Sequence, residues 1–162
     1  MLYNRKEENM SESSFLVSLL TSGSSGNATY IETPQRKILV DCGLTGKAIA
    51  AQMEKIGRSV ADIDTILVTH EHVDHIKGIG VLARKFGMDI YANEKTWKAM
   101  ESKNIGVIKQ EQKHLFEPGV TKTFGDIDVM SFAVSNDAAS PQFYSFQKDQ
   151  KQFVMLTDTG YV

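Results

Sequence analysis

The sequence predicts a layered α/β protein (an α+β layered arrangement) built around a mixed sheet. Three observations predict it: strands with short connections near the start, alternating helix and strand patterns in the centre, and consecutive strand patterns after His114. Short connections join antiparallel strands, whereas strands that alternate with helices form parallel pairs covered by helices. Both kinds of pairing are therefore expected in one protein.

The opening segment has three strand patterns. Phe15 to Leu20, Thr29 to Thr33 and Ile38 to Val40 are rich in β-branched and apolar residues. The Gly/Ser cluster at 22–26 and the turn sequence at 34–36 separate them. These connections are too short for a crossover helix, so the three strands are expected to be antiparallel.

The central segment alternates between helical and extended patterns. The helix predicted from Thr45 to Ile56 carries apolar residues at helical spacing and stops at Gly57. Asp64 to Thr69 is predicted to be a strand buried on both faces. The elements predicted next are a helix from Ile76 to Phe86 closed by Gly87, a strand at Ile90 to Ala92 and a helix at Glu94 to Met100.

The remaining sequence is predicted to be mostly strand. The strands expected are Val120 to Phe124, Ile127 to Val134, Phe143 to Phe146 and Phe153 to Leu156. Gly125-Asp126 and Asp149 supply turn residues between them. The chain then stops soon after a strand with no closing helix, which predicts an interrupted fold.

Composition excludes several protein classes. The 162 residues carry a net charge of −2 and 41% hydrophobic residues, as expected of one ordinary globular domain. This charge argues against binding to DNA or lipid through a large basic face, although metal ions could supply local positive charge. The single cysteine, Cys42, fits a reducing compartment, and no apolar run is long enough to span a membrane. A cytoplasmic protein is expected, with no membrane partner.

Three of the four histidines fall within His70-Glu71-His72-Val73-Asp74-His75, directly after the apolar run Ile66 to Val68. Imidazole and carboxylate groups are transition-metal ligands, and residues two apart in an extended segment point the same way. The cluster therefore predicts two neighbouring metal sites. The alternative is a His-rich surface loop in which Asp74 caps the next helix, but capping explains none of the histidines.

The segment Thr69 to His75 resembles the signature of metallo-β-lactamase-fold hydrolases. Four further segments resemble the YycJ (WalJ) branch of that fold: Ser22 to Asn27, Val40 to Leu44, Tyr91 to Trp97 and Leu156 to Tyr161. The resemblance implies a four-layer αββα sandwich, two divalent metal ions (zinc or manganese), and 5′-to-3′ exonuclease or phosphodiesterase activity. It begins near Phe15 and implies an incomplete metallo-β-lactamase-like domain at 14–162, and the polar start at 1–13 is expected to be a disordered extension.

The resemblance also implies a ligand set. His70 and His72 would hold the first metal, Asp74 and His75 the second, and Asp158 would bridge them. Asn136 stands where the family pattern has another histidine, and its carbonyl oxygen is a weaker ligand, so the first site is expected either to favour manganese or magnesium or to bind metal poorly. The family's last histidine ligand is expected beyond Val162.

Other residues are secondary candidates. Asp41 is either a turn residue or a carboxylate that orients the ligand loop, and the two roles are compatible. Ser24 and Asn27, in the Gly/Ser loop, are candidates for binding substrate phosphate, although such loops are also ordinary turns. Cys42 is expected to be a buried hydrophobe and His114 a structural histidine.

Three functional hypotheses follow. The first is metal-assisted hydrolysis of phosphodiester bonds in nucleic acid, most specifically a 5′-to-3′ exonuclease acting on DNA, with Asp74 as the catalytic residue. The second is a truncated, catalytically impaired metal-binding or interaction fragment, whose uncovered apolar faces favour a homodimer. The third keeps the hydrolase but with a thioester or lactone substrate.

Overall fold

A computed structural model describes residues 14–23, 26–134 and 138–155 of the chain. The expected N-terminal extension at 1–13 lies outside these ranges. The strands are β1 (Leu16–Thr21), β2 (Ala28–Glu32), β3 (Lys37–Val40), β4 (Thr65–Leu67), β5 (Asp89–Ala92), β6 (Lys113–Leu115), β7 (Thr121–Phe124), β8 (Ile127–Ala133), β9 (Gln142–Lys148) and β10 (Lys151–Val154). The α-helices are α1 (Gly46–Lys55), α2 (Val73–Ile76), α3 (Ile79–Phe86) and α4 (Glu94–Glu101). No helix in the described ranges has the length and apolar character needed to cross a bilayer.

The first sheet is mixed, as the sequence predicts. Its strand order is β1-β2-β3-β4-β5-β6 within the described residues. The β1–β2 and β2–β3 pairs are antiparallel, and the three pairs from β3 to β6 are parallel. The carboxyl ends of β3, β4, β5 and β6 therefore meet at one edge of the sheet, where the connecting loops gather.

The second sheet is antiparallel, with the order β10-β9-β8-β7 in the described residues. Gly125-Asp126 joins β7 to β8, and Asp149-Gln150 joins β9 to β10. Asp149 has a left-handed backbone with φ 56, a conformation that aspartate tolerates in tight turns. Both turns lie where the sequence predicts them.

Two hydrophobic cores separate three layers of structure. One core lies between the helices and the first sheet, and Ile49 of α1 and Ile66 of β4 are both fully buried in it. The other lies between the two sheets, with Leu67 of β4 and Phe146 of β9 among its members. Neighbours along β4 thus face opposite cores, which explains its continuous apolar sequence. The described residues form the helix, sheet and sheet layers of the expected sandwich.

Some element boundaries differ from the sequence predictions. The helix expected from Ile76 to Phe86 is interrupted at Lys77-Gly78, which separates α2 from α3. A Cβ on Gly78 would lie 2.1 Å from the Leu44 carbonyl oxygen, so the two loops meet at a point where only glycine fits. The strand expected from Asp64 to Thr69 is shorter, because the chain leaves the ladder after Leu67.

One strand was not predicted at all. Lys113–Leu115 forms β6 at the edge of the first sheet, and His114 stands opposite Tyr91 of β5. Three residues are too few to show a strand periodicity. The prediction of His114 as a structural histidine agrees with its surroundings, since its ring stacks on Tyr91 and its Nε2 lies 3.0 Å from Asp89 Oδ1.

Candidate metal centre

The histidine segment lies at the carboxyl-end edge of the first sheet. It follows β4 and runs into α2, for which the backbone of His72 is the N-cap. Backbone hydrogen bonds fix it to the loop after β3, because Asp41 N donates to Leu67 O at 2.8 Å and Cys42 N donates to His75 O at 2.8 Å. The end of β3 therefore supports both ends of the segment.

The imidazole ring of His70 contacts the rings of both other histidines of the segment. The ring centroid of His70 lies 4.6 Å from that of His72 and 4.1 Å from that of His75. The Nε2 atoms of His70 and His75 are buried. Asp74 is half-buried, and its Oδ2 lies 3.9 Å from His75 Nε2. The fold thus brings together the four candidate ligands of this segment.

A buried carboxylate sets the proton position on His75. Asp41 Oδ2 lies 2.6 Å from His75 Nδ1, and an acceptor of this kind requires Nδ1 to carry the proton. Nε2 of a neutral His75 then carries the lone pair that a metal ion needs. Such carboxylate–histidine pairs orient metal ligands in many metalloproteins.

Thr69 fixes the proton position on His70 in the same way. Asp41 accepts hydrogen bonds from the Thr69 backbone N at 2.8 Å and from Thr69 Oγ1 at 2.6 Å. A hydroxyl has only one proton, so Thr69 Oγ1 must accept from His70 Nδ1, which lies 2.9 Å away. The hydrogen-bond network therefore assigns the lone pair of His70 to Nε2 as well.

The Asp41 backbone is itself unusual. Its φ of 63 places it in the left-handed region, which a non-glycine residue adopts at a cost of about 1–2 kcal/mol. The residue is 1% exposed, and its side chain receives hydrogen bonds from Thr69 and His75 that offset this cost. Asp41 both makes the turn after β3 and hydrogen-bonds the ligand segment, and its role in orienting metal ligands stays a prediction.

Asn27 contacts the ligand segment rather than standing apart from it. Its backbone N donates to Asp74 O at 2.8 Å, and its Nδ2 also donates to Asp74 O at 3.1 Å. Its side chain further bonds the backbone of Gly23. The residue is 8% exposed, so its side chain holds Asp74 and the Gly/Ser loop together.

Gly43 allows this close approach. A Cβ at Gly43 would lie 1.8 Å from Asp74 O, and its backbone N donates to Asn27 O at 2.9 Å. Two loops, the Gly/Ser loop and the loop after β3, therefore meet at the backbone of Asp74.

The remaining candidates, Ser24, Asn136 and Asp158, lie outside the described residues. Within the described ranges, no group of three or more His, Cys, Asp and Glu side chains is arranged to hold one ion. The donor chemistry nevertheless fits divalent transition metals, because two imidazoles present Nε2 lone pairs with their Nδ1 protons engaged.

Sequence reasoning missed Thr69 and Glu71. A hydroxyl directly before the first histidine was the available signal for Thr69.

The sequence matches a family model described as the metallo-beta-lactamase superfamily over residues 21–138, which include the histidine segment. The chain belongs to the metallo-β-lactamase superfamily. The family-level resemblance drawn from the motifs is thereby confirmed, and membership implies divalent metal ions as the cofactor class.

Among relatives, the chain is 63% identical over 154 residues to "Exodeoxyribonuclease WalJ" of Streptococcus pneumoniae, which covers 94% of this chain and 57% of that protein. It is 54% identical over 145 residues to "Exodeoxyribonuclease YycJ" of Bacillus anthracis, covering 90% of this chain and 54% of that protein. The chain thus spans a little over half the length of these curated relatives.

Solved structures of metallo-β-lactamases share the fold. An enzyme from Cronobacter sakazakii superposes with a TM-score of 0.71 at 22% identity, covering 90% of this chain and 64% of that one. A subclass B3 enzyme with an active-site glutamic acid gives a TM-score of 0.70 at 21% identity, covering 95% of this chain and 66% of that one. At these identities the likeness establishes a metallo-β-lactamase fold and nothing about substrate.

Proposed function

We propose that this chain carries the metal-binding half of a metal-dependent exodeoxyribonuclease that hydrolyses phosphodiester bonds from the 5′ end. The observation that carries the proposal is the pair of buried Nε2 atoms on His70 and His75, with both Nδ1 atoms engaged by Thr69 and Asp41. The names of the two relatives give the substrate class.

Each residue of the segment has a proposed role. His70 and His72 would hold one divalent ion, and His75 and Asp74 the second. Asp158 is proposed as the ligand shared by both ions. Asp41 would keep His75 in the tautomer that binds metal, and Thr69 would do the same for His70.

Asp74 is the proposed catalytic residue. Its carboxylate lies 3.9 Å from His75 Nε2, and Asn27 donates two hydrogen bonds to its backbone carbonyl. A carboxylate in this place can accept a proton from an attacking water and orient it. Bound divalent ions would supply the remaining chemistry, by lowering the pKa of water and neutralising charge on the phosphoryl oxygens.

The metals are proposed to be zinc or manganese. Three imidazoles favour zinc, whereas Asn136 offers an oxygen donor that suits manganese better. Metal content of the purified chain after dialysis against each ion would decide between them.

The test is cleavage of DNA labelled at its 5′ end. The chain is incubated with added Mn²⁺ or Zn²⁺, beside a chelated sample and beside the His70→Ala/His72→Ala variant. Early release of labelled mononucleotide is expected only in the metal-loaded wild type, and 3′-labelled DNA should shorten without losing its label. His114→Ala is the matched control, because His114 of β6 pairs with Asp89 of β5, outside the histidine segment. Equal activity in the wild type and the double variant would refute the proposal.

A metal-binding fragment without catalysis is the second candidate. Two observations favour it. The chain covers 57% of the Streptococcus pneumoniae relative, and the described residues contain no group of three or more His, Cys, Asp or Glu side chains arranged to hold one ion. About two ions bound per chain with no cleavage of DNA would support it. Thioester and lactone substrates assayed in parallel would reveal the third candidate.

Self-association stays a prediction. Leu19 on β1 and Leu115 on β6 are 65% and 55% exposed, and these strands form the two edges of the first sheet. Exposed strand edges with apolar residues favour pairing with another chain. Sedimentation velocity across a concentration range would show whether a dimer forms.

A further inference from the structure

We infer that Glu71 is a positioning residue that fixes the histidine segment to the loop before β9 through the backbone of Ala139. Glu71 Oε2 accepts a hydrogen bond from Ala139 N at 3.0 Å, and Oε1 lies 3.4 Å from the same atom. The glutamate is 8% exposed although it carries a carboxylate. Its consequence for metal binding rests on the function proposed above.

Glu71 is part of a row of contacts between two segments far apart in sequence. Gln142 N donates to Thr69 O at 2.9 Å, and the fully buried Tyr144 donates its hydroxyl proton to Val68 O at 2.6 Å. Together with the Glu71 contact, these bonds join residues 68–71 to residues 139–144. Among these three bonds, Glu71 contributes the only side chain that comes from the histidine motif.

The partner segment is also held from its other side. Asn93 Nδ2 donates to Ser140 O at 2.8 Å, and Thr96 Oγ1 donates to the same oxygen at 3.3 Å. Ser140 is therefore fixed to the start of α4. Ala139, one residue earlier, gives Glu71 an anchored partner rather than a freely moving loop.

The position of Glu71 between two candidate ligands gives the contact its importance. Side chains of successive residues in an extended segment point to opposite sides, so Glu71 can reach Ala139 while His70 and His72 lie ring to ring. A charged acceptor makes a stronger bond to a backbone amide than a neutral one. Loss of this bond would release the backbone between the two imidazoles.

The proposed experiment uses three variants of the chain. Glu71→Ala removes the acceptor, and Glu71→Gln keeps a carbonyl oxygen at the same reach. Glu117→Ala is the matched control, because Glu117 Oε2 accepts from Glu94 N at 2.9 Å and so makes the same kind of bond at the start of α4. Amide exchange at Ala139 is followed by NMR, and Zn²⁺ affinity is measured by competition with a chromophoric chelator.

Glu71→Ala is expected to speed exchange at Ala139 about tenfold, which corresponds to one lost hydrogen bond. Zn²⁺ affinity should fall about tenfold or more, as for other residues that orient metal ligands. Glu71→Gln should keep the exchange rate at Ala139 and the Zn²⁺ affinity close to those of the wild type. Glu117→Ala should leave both unchanged even if it lowers thermal stability.

Two results would overturn the inference. Unchanged exchange at Ala139 in Glu71→Ala would show that the contact does not anchor the segment. Equal loss of Zn²⁺ affinity in the alanine and glutamine variants would show that the charge of Glu71, and not its bond to Ala139, matters. A wild type that binds no Zn²⁺ would refute the proposed function, whereas faster exchange in Glu71→Ala would still support the anchor.

Discussion

Asp41 and His75 lie 34 residues apart in sequence, yet Asp41 Oδ2 contacts His75 Nδ1 at 2.6 Å. Both side chains are almost fully buried. The same carboxylate accepts two hydrogen bonds from Thr69. One residue at the end of β3 thus determines the proton position on two imidazoles.

Replacing this carboxylate should weaken metal binding. Asp41→Ala is expected to lower Zn²⁺ affinity by about 10–100-fold, because the imidazole of His75 loses the acceptor that fixes its tautomer. Affinity is measured by competition with a chromophoric chelator. Asp89→Ala is the matched control, since Asp89 pairs with His114 outside the histidine segment. Equal affinities of the wild type and Asp41→Ala would contradict the role of Asp41.

The close contact at Gly43 predicts a second effect. Gly43→Ala would place a Cβ 1.8 Å from Asp74 O, where backbone and not a flexible side chain must move. Such overpacking is expected to cost about 3 kcal/mol of unfolding free energy, measured by urea denaturation. Gly46→Ala is the control, because its Cβ meets only the side chain of Val81, at 3.0 Å. Similar stabilities of the two variants would argue against the crowding at Asp74.

The ion pair of Glu32 and Arg58 should make stability depend on pH. Glu32 is buried, and although burial opposes its ionisation, hydrogen bonds from Arg58 and Tyr30 lower its pKa below the usual value. Because the pKa of Glu32 is lower in the folded state, its ionisation stabilises the protein fully above pH 4.5, the ordinary pKa. This stabilisation is lost as the pH falls through the pKa of the folded state.

Arg58→Ala tests this pair directly. It leaves the buried carboxylate without its cation, and a loss of about 3 kcal/mol at pH 7 is expected. Urea denaturation at pH 7 and pH 3 measures it, and the difference between the variant and the wild type should shrink at pH 3. A difference that is independent of pH would show that Glu32 ionisation does not contribute. Arg84→Ala is a suitable comparison, since the guanidinium of Arg84 donates to the backbone carbonyls of Ile105 and Val107.

Cys42 should be chemically inert in the folded protein. Its side chain is fully buried, and burial raises the pKa of the thiol to about 12. The thiolate is the reactive form, so a disulfide reagent at pH 8 is expected to label the protein only after denaturation. The measurement is absorbance of the released thiol with and without guanidinium. Rapid labelling of the folded chain would contradict the burial of this residue.

The local patterns predicted most of the fold correctly. Alternation and short turns predicted β1 to β3, and the apolar run Ile66 to Val68 predicted β4 because it faces a hydrophobic core on each side. The short strand β6 was missed, since it depends on pairing with β5 and not on its own three residues. The break at Gly78 was missed because its cause is the Leu44 carbonyl, which belongs to another loop.

The sequence by itself determined which residues carry the chemistry: imidazoles and carboxylates concentrated in one short segment after a buried strand. Only the tertiary structure decided how they are oriented. It placed Asp41 against His75, Asn27 against Asp74 and Glu71 against Ala139. Each contact joins residues separated by tens of positions, and such pairs follow from sheet pairing and loop packing, which no local periodicity encodes.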